Sequence, residues 1–145
     1  MENLRKIVKN HLSEGIVIMD LVYNPISDFI KITIDSPNDI PIKETSKIAK
    51  SIKNDNNLMS MFPNGCRLEV GTPGVGTNLI EKFQFRKNIG RKIFVEYRKD
   101  GSNVDSAIFR LSSVEKNHIK VIKNKKNYII LFENIISAKV KISFD

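Results

Sequence analysis

The sequence predicts an α+β protein in two parts. An N-terminal α/β domain, a small sheet with two or more helices, covers residues 1–84, and a small β-barrel covers residues 85–145. Three observations carry this expectation. Helix-like and strand-like patterns alternate as far as Gly71. Beyond Arg91 come five short strand candidates separated by polar turn clusters. The charge divides with them: residues 1–84 carry ten Lys+Arg and ten Asp+Glu, residues 85–145 fourteen and six, so the whole net charge of +8 lies in the second part. That asymmetry points to a polyanionic partner for the second part. A bias towards Lys, Ile and Asn raises the lysine count by itself, but the first part shares the bias and is neutral.

In the first part, Leu4, Ile7, Val8 and Leu12 recur at helical spacing and predict a helix over residues 1–14, with Gly15 as its stop. Residues 16–23 are rich in β-branched side chains and read as a strand buried on both faces. Asn24-Pro25 marks a turn. Over 29–35, Ile30, Ile32 and Ile34 alternate with Lys31 and Thr33, as in a half-buried strand that pairs antiparallel with its predecessor. A second helix follows over 42–54. Thr45, Ile48, Ala49 and Ile52 share its inner face, and Lys43, Lys47, Lys50 and Lys53 form a solvated stripe opposite. Residues 55–65 are polar and read as a loop with at most a turn of helix, and 67–71 as a third strand.

The second part reads as strands at 92–98, 106–114, 118–122, 128–132 and 138–143, joined by clusters such as Asp100-Gly101-Ser102-Asn103 and Asn124-Lys125-Lys126-Asn127. Phe94, Tyr97, Tyr128 and Phe132 fall within these strands and are expected in the core. A domain of this size is marginal alone. No apolar run approaches the roughly 18–20 residues of a membrane span. The N-terminus mixes charges among its apolar residues, so no signal peptide is expected, and the protein is read as cytoplasmic. The single cysteine, Cys66, cannot form an internal disulfide.

Catalytic chemistry finds no support in the pattern. Gly71-Thr72-Pro73-Gly74-Val75-Gly76 lacks the lysine that a phosphate-binding loop needs after its last glycine, and Leu79 stands where a dinucleotide fingerprint needs glycine, so a tight turn is expected. His11 and His118 stand alone, and neither is spaced for zinc with Cys66. His11 is expected to pack, and Cys66 to be a buried or half-buried thiol. No catalytic, cofactor or metal residue is assigned. The basic clusters remain. Arg86, Lys87, Arg91 and Lys92 form a first candidate contact zone, and Lys120, Lys123, Lys125 and Lys126 a second, able to neutralise several phosphates.

Residues 66–91 read CRLEVGTPGVGTNLIEKFQFRKNIGR. Leu68, Glu69, Val70, Pro73, Gly74 and Leu79, followed by Phe85, Ile89 and Gly90, resemble the junction of the bacterial ribosome maturation factor family of the RimP type. There a Leu-Glu-Val strand, a Pro-Gly turn and a Phe-x-Arg-aromatic-Ile-Gly segment precede a barrel. Upstream, Ile34-Asp35 is similar to the family's strand end, and Ile40, Ile48 and Ile52 to its next apolar positions. The family's Asp-Arg-Pro is replaced by Gly76-Thr77-Asn78, its tyrosine by Cys66, and the arginine and aromatic of its second motif by Lys87 and Asn88. Glu69, Pro73, Gly74 and Gly90 are expected to shape the junction rather than touch a ligand.

The resemblance implies an SH3- or Sm-like barrel and a non-catalytic assembly factor that binds the free small ribosomal subunit and assists its maturation. It implies small-subunit ribosomal RNA and the ribosomal protein numbered twelve as partners, with no cofactor and no membrane. A monomer is expected. The alternatives are a general RNA-binding module or a protein-interaction adaptor with the same fold.

Overall fold

The computed structural model describes residues 1–74, 76–101 and 103–141. They form two compact units, Met1–Pro73 and Gly74–Asp145, one carrying a three-stranded sheet and the other a five-stranded sheet. The division falls ahead of the 84/85 boundary expected from the charge. Hydrogen bonds explain the difference: Asn78 bridges to Lys139, and the Leu79 N–H donates to the Ala138 carbonyl at 2.7 Å, so this segment is tied into the second sheet.

In the first unit, helix α1 (Glu2–Lys9) buries Leu4, Ile7 and Val8. It is shorter than the pattern suggests. Asn10 caps it, and Gly15 serves the following turn instead, with φ +89°. His11 does not simply pack: its Nε2 lies 2.7 Å from Asp55 Oδ2 and its Nδ1 3.2 Å from Ser51 Oγ. Strand β1 (Val17–Asn24) is not buried on both faces as its composition suggests, for only Leu21 is fully buried. It is an edge strand with a single neighbour and a bulge between Ile18 and Asp20, so much of it meets solvent.

Strand β2 (Phe29–Asp35) is central and antiparallel to β1. Its alternation behaves as read, with Ile30, Ile32 and Ile34 buried and Lys31 exposed. Burying each such side chain contributes about 1.5–3 kcal/mol. Helix α2 (Ile42–Lys53) adds Ile48 and Ile52 to the same core and leaves its lysine stripe in water. Where the sequence suggests a loop, helix α3 (Asn56–Met61) forms. The Asp55 carboxylate caps it by accepting from the N–H groups of Asn57 and Leu58, and Leu58 is buried. Strand β3 (Arg67–Gly71) pairs parallel with β2, which requires the crossover that α2 supplies.

In the second unit, helix α4 (Lys82–Arg86) starts at a capping box. The Glu81 side chain accepts from the Gln84 backbone N–H, and Gln84 Oε1 accepts from the Glu81 N–H at 3.0 Å. The helix buries Phe85 edge-on to Phe132, ring centroids 5.4 Å apart. Strands β4 (Lys92–Arg98), β5 (Val104–Val114), β6 (His118–Lys123) and β7 (Lys126–Leu131) form an antiparallel meander. A 3-10 turn (Phe132–Asn134) leads to β8 (Ile135–Val140), which returns to pair with β4.

The sheet order is therefore β7-β6-β5-β4-β8. Among the described residues no ladder joins β7 to β8, so the expected barrel is not closed as a ring of hydrogen bonds. The 3-10 turn carries the chain from one edge strand to the other without pairing them. Strands β5 and β8 begin earlier than the pattern indicates, and residues 142–143 of the expected last strand lie outside the described residues. Ile93, Val95, Phe109, Leu111, Ile119, Val121, Ile130 and Ala138 make one core on the sheet's inner face.

The hairpin between β6 and β7 turns through only Asn124 and Lys125, both left-handed, with φ of +52° and +65°. Such two-residue turns favour Asn-Gly, because a side chain at positive φ costs about 1–2 kcal/mol. Lys125→Gly should therefore raise the free energy of unfolding by about 1 kcal/mol, read from chemical denaturation. A second expectation concerns acid. The Asp55 carboxyl is held below the usual aspartate range, first by the His11 hydrogen bond and further by the Asn57 and Leu58 N–H groups, against the opposing effect of burial. A lowered folded-state pKa adds stability that is present above the unfolded pKa and lost as pH falls through the folded one. Thermal midpoints of the wild type and of Asp55→Asn should differ at neutral pH and converge below the ordinary aspartate range.

Candidate nucleic-acid interface

The outer face of the five-stranded sheet follows from the alternation that builds its core. Along β4, Ile93 and Val95 point inward, so Lys92, Phe94, Glu96 and Arg98 lie on the opposite face. Register then sets their neighbours. Lys92 stands opposite Arg110, Phe94 opposite Ile108, and Glu96 opposite Ser106. On the other side Lys139 of β8 is opposite Phe94. Arg110 faces Ile122 of β6, and Lys120 follows two residues along the same face.

Lys139, Lys92, Arg110 and Lys120 thus fall in neighbouring rows of four adjacent strands, a diagonal basic stripe. Apolar side chains interleave with it: Phe94 and Ile108 are each 39% exposed, and Ile129 on β7, opposite Lys120, is 63% exposed. Like charges stand directly opposite at Lys92/Arg110 and at Lys123/Lys126. A bound polyanion is attracted to both pairs.

One member of the stripe also shapes the backbone. The Arg110 guanidinium donates to the Gly90 carbonyl at 2.6 Å. Gly90 has φ +93°, a left-handed conformation that suits glycine. Its N–H donates to the Leu111 carbonyl at 2.7 Å, and the Leu111 N–H donates back to the Arg91 carbonyl at 3.0 Å. The chain thereby enters β4 already paired with β5.

The first predicted zone is dispersed over the entry to this sheet. Arg86 is exposed in the last turn of α4, and Lys87 caps that helix half-buried. Arg91 is exposed and donates to Asn88 Oδ1 at 3.2 Å. Lys92 opens β4 and belongs to the stripe. In the second zone Lys120 also joins the stripe, whereas Lys123, Lys125 and Lys126 gather exposed at the tip of the β6–β7 hairpin. Of the junction residues, Glu69 sits exposed within β3, level with Lys31. Pro73 and Gly74 border the two units.

Sequence reasoning misses five residues of this face: Arg110, Lys139, Phe94, Ile108 and Ile129. Aromatic character assigns Phe94 and Tyr128 to the core, yet Phe94 lies on the outer face and Tyr128 is 42% exposed. Tyr97 and Phe132 do border the core, half-buried. The alternation of 92–98 puts Phe94 on the side of Lys92, a signal the sequence contains. The opposition of Arg110 to Lys92 depends on register and has no local signal.

Elsewhere the chemistry is quiet. Cys66 is half-buried as expected, and burial pushes its thiol pKa up, away from the reactive thiolate. The Tyr23 hydroxyl donates to Asp28 Oδ1 at 2.9 Å, which raises its pKa. Among the described residues no group of three or more His, Cys, Asp or Glu is placed to hold a metal ion. Nor is any helix among them long and apolar enough to cross a membrane.

No family model matches the chain. It is similar to a curated protein, the ribosome maturation factor RimP of Christiangramia forsetii, with 25% identity over 132 residues that cover 81% of this chain and 81% of that protein. The likeness extends over most of the sequence, and its level supports a RimP-like chain and no narrower assignment.

Proposed function

We propose that the chain is a non-catalytic ribosome assembly factor of the RimP type, acting in the cytoplasm on the free small ribosomal subunit. The observation that carries this reading is the diagonal stripe of Lys139, Lys92, Arg110 and Lys120 across four strands of the unit that holds the whole net charge. Similarity to a protein named as a ribosome maturation factor supplies the context. Ribosomal RNA would meet this stripe and the lysines of the hairpin tip, and the ribosomal protein numbered twelve would be a protein partner. Phosphate contacts of this kind provide affinity and orientation rather than base selectivity.

We read the second unit as an SH3/Sm-like barrel. A four-strand meander whose fifth strand returns beside the first, after a 3-10 turn, supports that reading. Assistance to assembly then needs no bond made or broken. Binding a partly assembled subunit better than competing states shifts the population towards it.

The test is sedimentation of the tagged chain with purified free small subunits and with complete ribosomes over a range of salt. Cosedimentation with free subunits should weaken steeply as salt rises, and complete ribosomes should bind poorly. Replacing Lys123, Lys125 and Lys126 together by Ala should reduce binding and flatten the salt dependence, by about one unit of slope for each phosphate no longer neutralised. Lys139→Glu and Phe94→Ser, at exposed outer-face positions, should weaken binding while leaving the thermal midpoint nearly unchanged. Equal binding to free subunits and complete ribosomes, or comparable binding to unrelated structured RNAs, would defeat the assembly-factor reading.

A further inference from the structure

The second unit carries a recess that the outer stripe does not use. A cleft of about 450 Å³ opens between the β4–β5 hairpin, the β6–β7 hairpin and the outer edge of β7. It lies where β7, among the described residues, has no strand paired to its outer side. Its floor is aromatic. Phe109 is buried, and the rings of Tyr97 and Tyr128 lie against it at centroid distances of 6.0 and 5.8 Å. Tyr128 presents 42% of its surface to solvent while its ring lies against the buried Phe109.

The rim is cationic. Arg98 and Lys99 come from one hairpin and Lys123 from the other. Against them, among the described residues, stands a single lining carboxylate, Asp105, whose Oδ2 is 3.9 Å from Lys99 Nζ.

We propose that this cleft receives one unpaired base of an RNA strand, stacked on Tyr128, with the phosphates on either side held by Lys99 and Lys123. The cleft has room for a base and part of its sugar, since pockets of a few hundred Å³ hold whole small ligands. An exposed aromatic ring among cations is the surface on which unpaired bases stack. The cations sit on two separate hairpins, which matches successive phosphates of a strand better than the single phosphate end of a free nucleotide. A proline-rich peptide would also find aromatic rings here, but it would bring nothing for the cations to neutralise. A duplex keeps its bases paired and stacked inside and cannot offer one. The inference goes beyond the assembly reading, because it concerns any single-stranded RNA and a cleft that shares only Lys123 with the cations proposed above to meet ribosomal RNA.

Fluorescence anisotropy tests it with the full chain and a labelled single-stranded RNA hexamer at fixed salt. The hexamer should bind saturably. Tyr128→Ala should weaken binding about ten-fold, the size of one base stack removed, whereas Tyr128→Phe should bind like wild type. Lys99→Ala and Lys123→Ala, both at exposed positions, should each weaken binding in a chain whose unfolding midpoint is not lowered, so a folding defect at Tyr128 would not leave the idea unexamined. An RNA hairpin with a fully paired stem and adenosine monophosphate should compete poorly. Undiminished binding by Tyr128→Ala would overturn the proposal. So would equal competition by the monophosphate or the paired stem, or capture of a proline-rich peptide with the hexamer ignored. None of these readouts involves the ribosome, so failure here is distinguishable from failure of the assembly reading.

Discussion

The second unit depends on one constraint, the register that sets Ile93 opposite Phe109 and Lys92 opposite Arg110. Strand side chains alternate between faces with a period of two, so a slip of one residue would exchange the faces. If β4 slipped, Ile93 and Val95 would meet water, while Lys92 and Phe94 would enter the core. At about 1.5–3 kcal/mol for each large side chain buried, no such slip competes with the native pairing. Core and interface are therefore two consequences of a single pairing, and selection on either holds the other in place.

Electrostatics pulls against this arrangement. The opposed like charges of Lys123 and Lys126 lower the stability of the hairpin tip in the unbound unit. The left-handed lysine at position 125 costs more at the same hairpin tip. A surface that keeps such features is suited to a polyanion, which neutralises the opposed cations while release of its own counterions adds binding free energy. The neutral first unit offers no comparable excess. Its lysine stripe on α2 is offset by carboxylates elsewhere, and its polar contacts, such as the His11–Asp55 pair, serve helix ends.

The aromatic residues show how one fold supplies two surfaces. Phe85 and Phe132 pack edge-on and fill one region of the second core. Tyr97, Phe109 and Tyr128 continue the apolar face into an open cleft because β7 and β8 are joined through a 3-10 turn rather than by a ladder. A ring of hydrogen bonds would have covered that edge.

Much was legible in the sequence. The β2 alternation, the inner face of α2 and the β4 strand are local periodicities, and the structure follows them. The placement of all the net charge beyond residue 84 needed only counting. Other features were not local. The β1 edge position depends on which strands become neighbours, and the early end of α1 on how its chain turns back towards Asp55. The cap that makes α3 a helix was visible as Asp55, yet a six-residue helix gains most of its stability from burying Leu58, which requires the rest of the core. The same division holds at the interface. The amino-acid sequence determined which residues are cationic and which face of its strand each one takes. Only the tertiary structure decided that Lys139, Lys92, Arg110 and Lys120 stand side by side, because strand order and register are long-range pairings, fixed by the burial of the whole inner face at once.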